Sequence, residues 1–168
     1  MKQGNGRLTL PVTVRKEKGL SLGGPAVIEL LQTVLSKGRP FRFRAKGFSM
    51  SPFIKDRDII TVYPLNGIKP GMGEIVAFVH PYSNRLVVHR IVGKRENRYL
   101  IKGDNLPGAD ALVPERNILG RVQKVERDGS EVILGLGTER FLIVFFSLRR
   151  FFPRLRRLLR PFLNRLKQ

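Results

Sequence analysis

A serine, a histidine and two aspartates occur in the sequence in an order that suits nucleophilic catalysis. Ser49 lies in the segment GFSMSP, residues 47–52, which follows a strand-like run over residues 41–46. A serine at the end of a strand, in a turn that Pro52 stiffens, presents its hydroxyl where a base could reach it. The same combination is found in ordinary turns, because serine and proline are common turn residues. Ser49 is therefore a candidate nucleophile that needs a partner.

His89 is the better candidate for that partner among the two histidines of the sequence. It stands in the apolar run over residues 86–92, where a strand would hold the imidazole rigidly, whereas His80 precedes Pro81 in what reads as a turn. A histidine in an apolar strand also fits a purely packed or hydrogen-bonded role. If His89 lies beside Ser49, it would act as the base that takes the hydroxyl proton.

Two carboxylates follow in a loop after the next predicted strand. Asp104 belongs to the segment KGDN, residues 102–105, and Asp110 follows shortly after it. Either could accept the Nδ1 proton of His89 and stabilise the imidazolium that forms when Ser49 is deprotonated. Asp104 also fits a turn that bonds its own backbone. We therefore expect Asp110 to orient the histidine and regard Asp104 as the second candidate.

The composition excludes several other kinds of site. The 168 residues contain no cysteine, which excludes disulfides, thiolate zinc sites and a cysteine nucleophile. Two histidines are too few for a multi-histidine metal site, and no metal or cofactor is expected. The 32 lysines and arginines against 13 acids give a net charge of +19, with a pI near 11.4. Such a balance indicates anionic surroundings, either nucleic acid or an anionic membrane surface.

The apolar pattern predicts a mainly β protein with a helix at each end. After an N-terminal segment of 24 residues with an edge strand at 8–14, apolar residues recur at helical spacing over residues 25–38. Residues 39–138 form the predicted β domain, because Gly, Pro, Asn or Asp separates most of its apolar runs. Its strands are expected to be mostly antiparallel and to span residues 41–46, 58–63, 74–79, 85–92, 98–102, 118–126 and 131–134.

The last segment, residues 139–168, alternates Phe and Leu with Arg at helical spacing. It predicts a basic amphipathic helix, interrupted at Pro153 and Pro161, of the kind that lies in the plane of a membrane surface. The alternative is that the apolar stripe packs on the domain or on a partner protein. No signal peptide or membrane-spanning segment is visible, so we expect a peripheral membrane protein or a cytoplasmic one.

Six short segments together resemble, in order, the conserved boxes of type I signal peptidases and their LexA-like relatives. They are GFSMSP (47–52), DRDII (56–60), GEIVAF (73–78), VHRIV (88–92), KGDN (102–105) and ILGRV (118–122). The resemblance covers about residues 39–126 and implies a domain of coiled antiparallel β-sheets. It also implies that Ser49 is the nucleophile, that His89 places the chain in the branch with a Ser-His pair, and that Asp110, with Asp104 nearby, is the acidic partner.

The sequence departs from that family in three places. No membrane-spanning helix precedes the serine box, and Gly47 stands where many bacterial members have a hydroxyl donor. An oxyanion hole would then depend on backbone N–H groups near Ser49. A LexA-like self-cleavage reaction would require an Ala-Gly bond upstream of the serine. This chain has only Gly23-Gly24 there, which we interpret as a loop.

We therefore predict a serine endopeptidase of signal-peptidase type, with a peptide or protein substrate and small side chains flanking the cut, as the resemblance implies. Residues 139–168 would bind an anionic membrane surface and replace the missing anchor. The alternative is a non-catalytic basic binding module on the same fold, with nucleic acid or a membrane as partner. Nucleic acid is the less favoured partner, because no helix-turn-helix or RNA-binding motif is apparent.

Overall fold

The computed structural model describes residues 12–13, 24–109 and 111–147. Most of the predicted N-terminal strand, Asp110 and the part of the basic helix after residue 147 lie outside the described residues. Within the described ranges, no helix is both long enough and apolar enough to cross a membrane.

Nine strands and two α-helices make up the described protein. The helices are α1 (Pro25–Ser36) and α2 (residues 140–147), and a single 3₁₀ turn spans Glu115–Asn117. The strands are β1 (Val12–Thr13), β2 (Phe41–Arg44), β3 (Ile59–Tyr63), β4 (Ile75–Val79), β5 (Leu86–Arg95), β6 (Arg98–Lys102), β7 (Ala111–Pro114), β8 (Ile118–Arg127) and β9 (Ser130–Glu131).

The strands form one open sheet in the order β1-β2-β3-β8-β4-β5-β6-β7, with β9 pairing β8. All pairs are antiparallel except β1 with β2, which run parallel. This confirms the prediction of a mainly antiparallel β fold. β4 follows β3 in the chain, but β8 lies between them in the sheet and pairs with both.

Two apolar clusters pack on opposite faces of the central strand β4. Ile75 and Ala77 belong to the cluster beneath α1, and Val76 and Phe78 belong to the cluster with β6 and β7. Because successive side chains of a strand point to opposite faces, β4 is buried on both. Helix α1 covers the first cluster with side chains at i, i+4, i+7 and i+8, namely Val27, Leu31, Val34 and Leu35.

Two strands differ from the prediction. β7 lies just after the acidic loop, where we predicted no strand, because Leu112 and Val113 are too few to stand out as an apolar run and depend on pairing with β6. The predicted strand at 131–134 is shorter, since β9 ends at Glu131. Val132 makes one more backbone bond to Val125, and Ile133 then lies in solvent, 73% exposed.

Candidate active site

Ser49 lies in the turn that follows β2, as the sequence predicted. Gly47 opens this turn with φ of +97°, a conformation that favours glycine, and its N–H donates to Oδ1 of Asp56 at 2.8 Å. The N–H of Ser51 donates to the Phe48 carbonyl at 3.1 Å and closes the turn around Ser49. The backbone on both sides of the serine is thus fixed by hydrogen bonds.

The far end of the serine turn is anchored to the sheet by a partly buried ion pair. Arg127 on β8 donates from Nη2 to Oδ2 of Asp58 at 2.7 Å and to the Phe53 carbonyl at 3.3 Å. Asp58 also accepts the N–H of Lys55 at 2.7 Å. Met50 is buried in the first apolar cluster, so both polar and apolar contacts hold the turn against β8.

The carboxyl of Asp58 is held in its charged form. Burial by itself would raise the pKa of Asp58, whose side chain is 3% exposed. The hydrogen bond and charge of Arg127, together with the N–H and charge of Lys55, outweigh burial, and the pKa lies below its ordinary value. The support of the serine turn therefore depends on an ionised aspartate.

His89 lies on β5, opposite Val76 of β4, and is buried. Its Nε2 is 2.8 Å from Oγ of Ser49, which is hydrogen-bond distance for a base and its nucleophile. The ring of Phe78 packs near the imidazole, with 6.3 Å between ring centroids. The structure thus brings together the serine and the histidine that the sequence singled out, although 40 residues separate them.

The second histidine has a different role. Nδ1 of His80 accepts the N–H groups of Tyr82 at 3.4 Å and Ser83 at 3.3 Å. His80 therefore holds the β4–β5 turn, as its position before Pro81 suggested.

Gly103 allows the loop after β6 to close over the reactive pair. A Cβ at this position would lie 2.8 Å from the Ser49 carbonyl oxygen and 3.0 Å from Nε2 of His89. Asn105 holds this loop against the serine turn. Its backbone N–H donates to the Ser49 carbonyl at 2.8 Å, and its Nδ2 donates to the Phe48 carbonyl at 3.2 Å. We did not predict this role of Gly103, although its place in the KGDN segment was the available signal.

Asp104 is bound to Arg90. Nε of Arg90 donates to both carboxylate oxygens at 2.9 and 3.2 Å, and Nη2 donates to Oδ2 at 2.8 Å. Arg90 also donates from Nη1 to the carbonyls of Gly73 and Gly135, both at 2.8 Å, and lies over the Phe53 ring. Arg90 therefore ties together the loop after β6, the turn before β4, the segment before α2 and the serine turn.

These contacts change the interpretation of the two aspartates. The hydrogen bonds of the Asp104 carboxylate go to Arg90, not to the imidazole for which we considered it, because β5 presents Arg90 and His89 on opposite faces. Asp104 supports the loop that carries Gly103 and Asn105. Asp110 lies outside the described residues, and its role beside His89 stays a prediction.

A cleft of about 350 Å³ opens beside Ser49, between the end of β2 and the start of β5. Among the described residues, β1 pairs with β2 at Phe41 and Arg42, and β6 pairs with β5 from Arg90 onwards. Within the described chain, residues 43–46 and 86–88 therefore each leave one strand edge unpaired. The inner lining of the cleft is apolar and includes Phe43, Ala45, Met50, Ile54, Ile60 and Val88. The arrangement fits an extended chain lying between two strand edges.

Among the described residues, no three histidine or acidic side chains lie together in a way that could hold a metal ion. What the site offers is instead a hydroxyl in contact with an imidazole, next to two open strand edges. A hydroxyl and an imidazole in this geometry are able to carry out acyl transfer.

Comparison with known proteins agrees with this chemistry at the level of the family. A search of the curated proteins found no match. The model of the Peptidase S24-like family matches residues 20–123, which include α1, the serine turn, His89 and the loop after β6. The match covers more than half of the sequence, and the chain therefore belongs to the Peptidase S24-like family.

Proposed function

We propose that this protein is a serine endopeptidase of signal-peptidase type, in which Ser49 is the nucleophile and His89 the general base. The observation that carries the proposal is the 2.8 Å contact between Oγ of Ser49 and Nε2 of His89. It is supported by the burial of His89 and by a serine turn held by hydrogen bonds on both sides. Such rigidity favours catalysis, because a nucleophile that is already oriented loses little freedom on reaction.

The reaction follows from this pair. His89 takes the proton of Ser49 as Oγ attacks the peptide carbonyl, and it returns the proton to the leaving amine when the C–N bond breaks. A water molecule, deprotonated by His89, then attacks the ester on Ser49; the bond between Oγ and the acyl carbon breaks, His89 returns the proton to Oγ, and the acid product leaves. In this mechanism the carboxylate of Asp110 accepts a hydrogen bond from Nδ1–H of His89 and stabilises the imidazolium, as the resemblance to the Ser-His branch implies.

Backbone N–H groups are the proposed donors to the oxyanion. Gly47 offers no hydroxyl, and its own N–H is bonded to Asp56. Among the described residues, the N–H groups of Ser49 and Met50 donate no hydrogen bond, so both remain available for a negatively charged oxygen. Donors of this kind stabilise the charge that develops in the tetrahedral intermediate.

The cleft supports a peptide in extended form as the substrate. A strand lying between residues 43–46 and 86–88 would satisfy the open backbone groups on both edges. The cleft is small and its inner wall is apolar. We therefore expect the substrate to have small or apolar side chains at the positions that face this wall.

The first turns of the C-terminal segment support attachment to a membrane surface. In α2, Val144 is buried, whereas Phe141, Leu142, Phe145 and Phe146 are each more than half exposed. The described part of the domain leaves these four side chains uncovered, which supports a membrane surface over packing on the domain; packing on a partner protein is the remaining alternative. An exposed aromatic face next to the arginine-rich sequence of residues 149–167 fits an anionic lipid surface.

Cleavage of a signal-peptide-like substrate in anionic vesicles tests the catalytic proposal. We expect Ser49→Ala and His89→Ala each to lower kcat/KM by at least about 10³-fold, because either change removes the reacting pair. His80→Ala is the matched control and should retain activity, since His80 only holds a turn. Undiminished turnover by Ser49→Ala would contradict the mechanism.

Binding to vesicles and to DNA separates the peptidase from a non-catalytic basic module. We expect the full chain to bind anionic vesicles and Phe145→Ser/Phe146→Ser to weaken this binding, because both rings are exposed. Tight, salt-dependent binding to DNA by a protein without Ser49-dependent cleavage would favour the alternative function instead.

A further inference from the structure

The cleft beside Ser49 has an apolar inner wall and a basic outer rim. Along the end of β2, Phe43 and Ala45 face the first apolar cluster, so the alternate residues Arg44 and Lys46 face outwards. Both cations border the cleft and are exposed. Neither makes an ion pair with any residue that the structure describes, which leaves two uncompensated positive charges next to the nucleophile.

Two described acids close in sequence or in the sheet to the end of β2 already have partners. Glu126 is shared between Arg42 at 3.0 Å and Lys124 at 3.6 Å. Asp56 accepts the Gly47 N–H at 2.8 Å and lies 3.8 Å from Arg57. Among the residues that the structure describes, no carboxylate pairs with Arg44 or Lys46, so this part of the outer face carries an excess of positive charge.

We propose that Arg44 and Lys46 select acidic side chains at every second position of the extended peptide that enters the cleft. The inference rests on the proposed peptidase function and adds a specificity to it. A peptide strand paired with the edge of residues 43–46 alternates its side chains as β2 does. One set of side chains enters the apolar wall, and the other set lies beside Arg44 and Lys46 on the outer face.

The two sets differ in what they tolerate. A carboxylate in the inner set would lose its hydration against Phe43, Met50 and Val88 without gaining a partner. A carboxylate in the outer set would stay hydrated and would face a cation across the strand pair, which is a favourable cross-strand arrangement. The preferred substrate is therefore a peptide in which apolar or small residues alternate with acidic ones ahead of the cleaved bond.

A positional series of peptides tests this specificity. Each peptide has alanine at the cleaved position, and Glu, Gln or Lys is placed in turn at each position before it. At alternate positions, we expect kcat/KM for Glu to exceed that for Gln by about two- to five-fold, and that for Lys to be lower than for Gln. The preference should shrink as salt is raised, because the rim is exposed.

Charge reversal assigns the effect to the two cations. Arg44→Glu and Lys46→Glu should each reverse the preference at one position, so that Lys becomes better than Glu there. Arg98→Glu changes the net charge equally on β6, away from the cleft, and should leave the preference as it is. Binding of the same peptides to the Ser49→Ala protein gives a readout that does not depend on catalysis.

The outcomes distinguish this inference from the function on which it rests. Ser49-dependent cleavage with no preference for Glu at any position would overturn the specificity and leave the peptidase standing. An acid preference that Arg98→Glu abolishes as effectively as Arg44→Glu would also overturn it, since overall charge would then be the cause. Cleavage that survives Ser49→Ala would instead overturn the proposed function.

Discussion

The protein has a second cavity that is larger than the cleft beside Ser49, and the comparison shows what marks an active site. The larger cavity, of about 600 Å³, is lined by residues 65 and 67–70, Asn97 and residues 114–116. No serine or histidine is among these lining residues. The smaller cleft, of about 350 Å³, contains Ser49 and His89 in contact. A serine in contact with a histidine, rather than volume, makes the smaller cleft the candidate site.

The two regions also differ in how they are supported. The larger cavity contains the pair Lys69 and Glu115, whose side chains are 60% and 31% exposed. The cleft is supported by Arg90 and Asp104, whose side chains are 0% and 3% exposed. An exposed pair contributes little to stability, whereas a buried charge that loses its partner is costly. The comparison therefore predicts a large effect at one region and a small one at the other.

The largest effect is expected for Arg90→Met, which leaves the buried Asp104 carboxylate without its partner. We expect the free energy of unfolding to fall by about 3 to 5 kcal/mol, measured by urea denaturation. Lys69→Met at the larger cavity is the control and should cost no more than about 1 kcal/mol. Equal losses in the two variants would break the distinction between the regions.

The next effect is expected for Gly103→Ala, because its Cβ would meet both the Ser49 carbonyl oxygen and Nε2 of His89. Displacing the reacting pair should lower kcat/KM by about 10²-fold. Gly108→Ala in the same loop is the control, since a Cβ there meets nothing within 4 Å. Similar activities of the two variants, in protein that is folded by circular dichroism, would show that the close approach at Gly103 does not matter.

A smaller effect is expected in acid, through Asp58. Its pKa is lower in the folded protein than its ordinary value, so ionised Asp58 stabilises the fold at all pH values above that ordinary value. This stabilisation should be lost as the pH falls through the pKa of the folded state. Urea denaturation over a pH series should show that the free energy of unfolding falls less in acid for Asp58→Asn than for the unchanged protein. An unchanged dependence would mean that other groups carry it.

The smallest effect is expected for Glu115→Gln at the larger cavity. It removes the exposed contact of 3.1 Å with Lys69 and touches nothing at the cleft. Cleavage should keep kcat/KM within about two-fold, as is usual for a surface change away from the reacting groups. A loss comparable with that of Gly103→Ala would give the larger cavity a part in the reaction.

Ser49 and His89, which the structure places in contact, could be singled out from the sequence because each lies in a local pattern. Ser49 follows a strand and precedes a proline, and His89 interrupts an apolar strand. Helix α1 could also be predicted from the sequence, since Pro25 begins the helical spacing and Gly38, with φ of +70°, follows its end. Patterns of this kind need only neighbouring residues, which a single sequence provides.

The supports of the site could not be predicted in the same way. Arg90 pairs with Asp104 only because β5 and β6 align Arg90 with Lys102, and register is not visible in one sequence. The cleft likewise depends on how far β1 and β6 extend along their partners. β7 was missed for the same reason, since four residues become a strand only when β6 lies beside them.

Trapping the acyl-enzyme tests the central claim most directly. The protein is mixed with an activated peptide ester, quenched in acid and digested, and the fragments are weighed by mass spectrometry. The account predicts that the fragment containing Ser49 gains the mass of the acyl group, that His89→Ala loses most of this signal, and that His80→Ala retains it. Product formation without acylation of Ser49, or equal acylation in the absence of His89, would contradict the account.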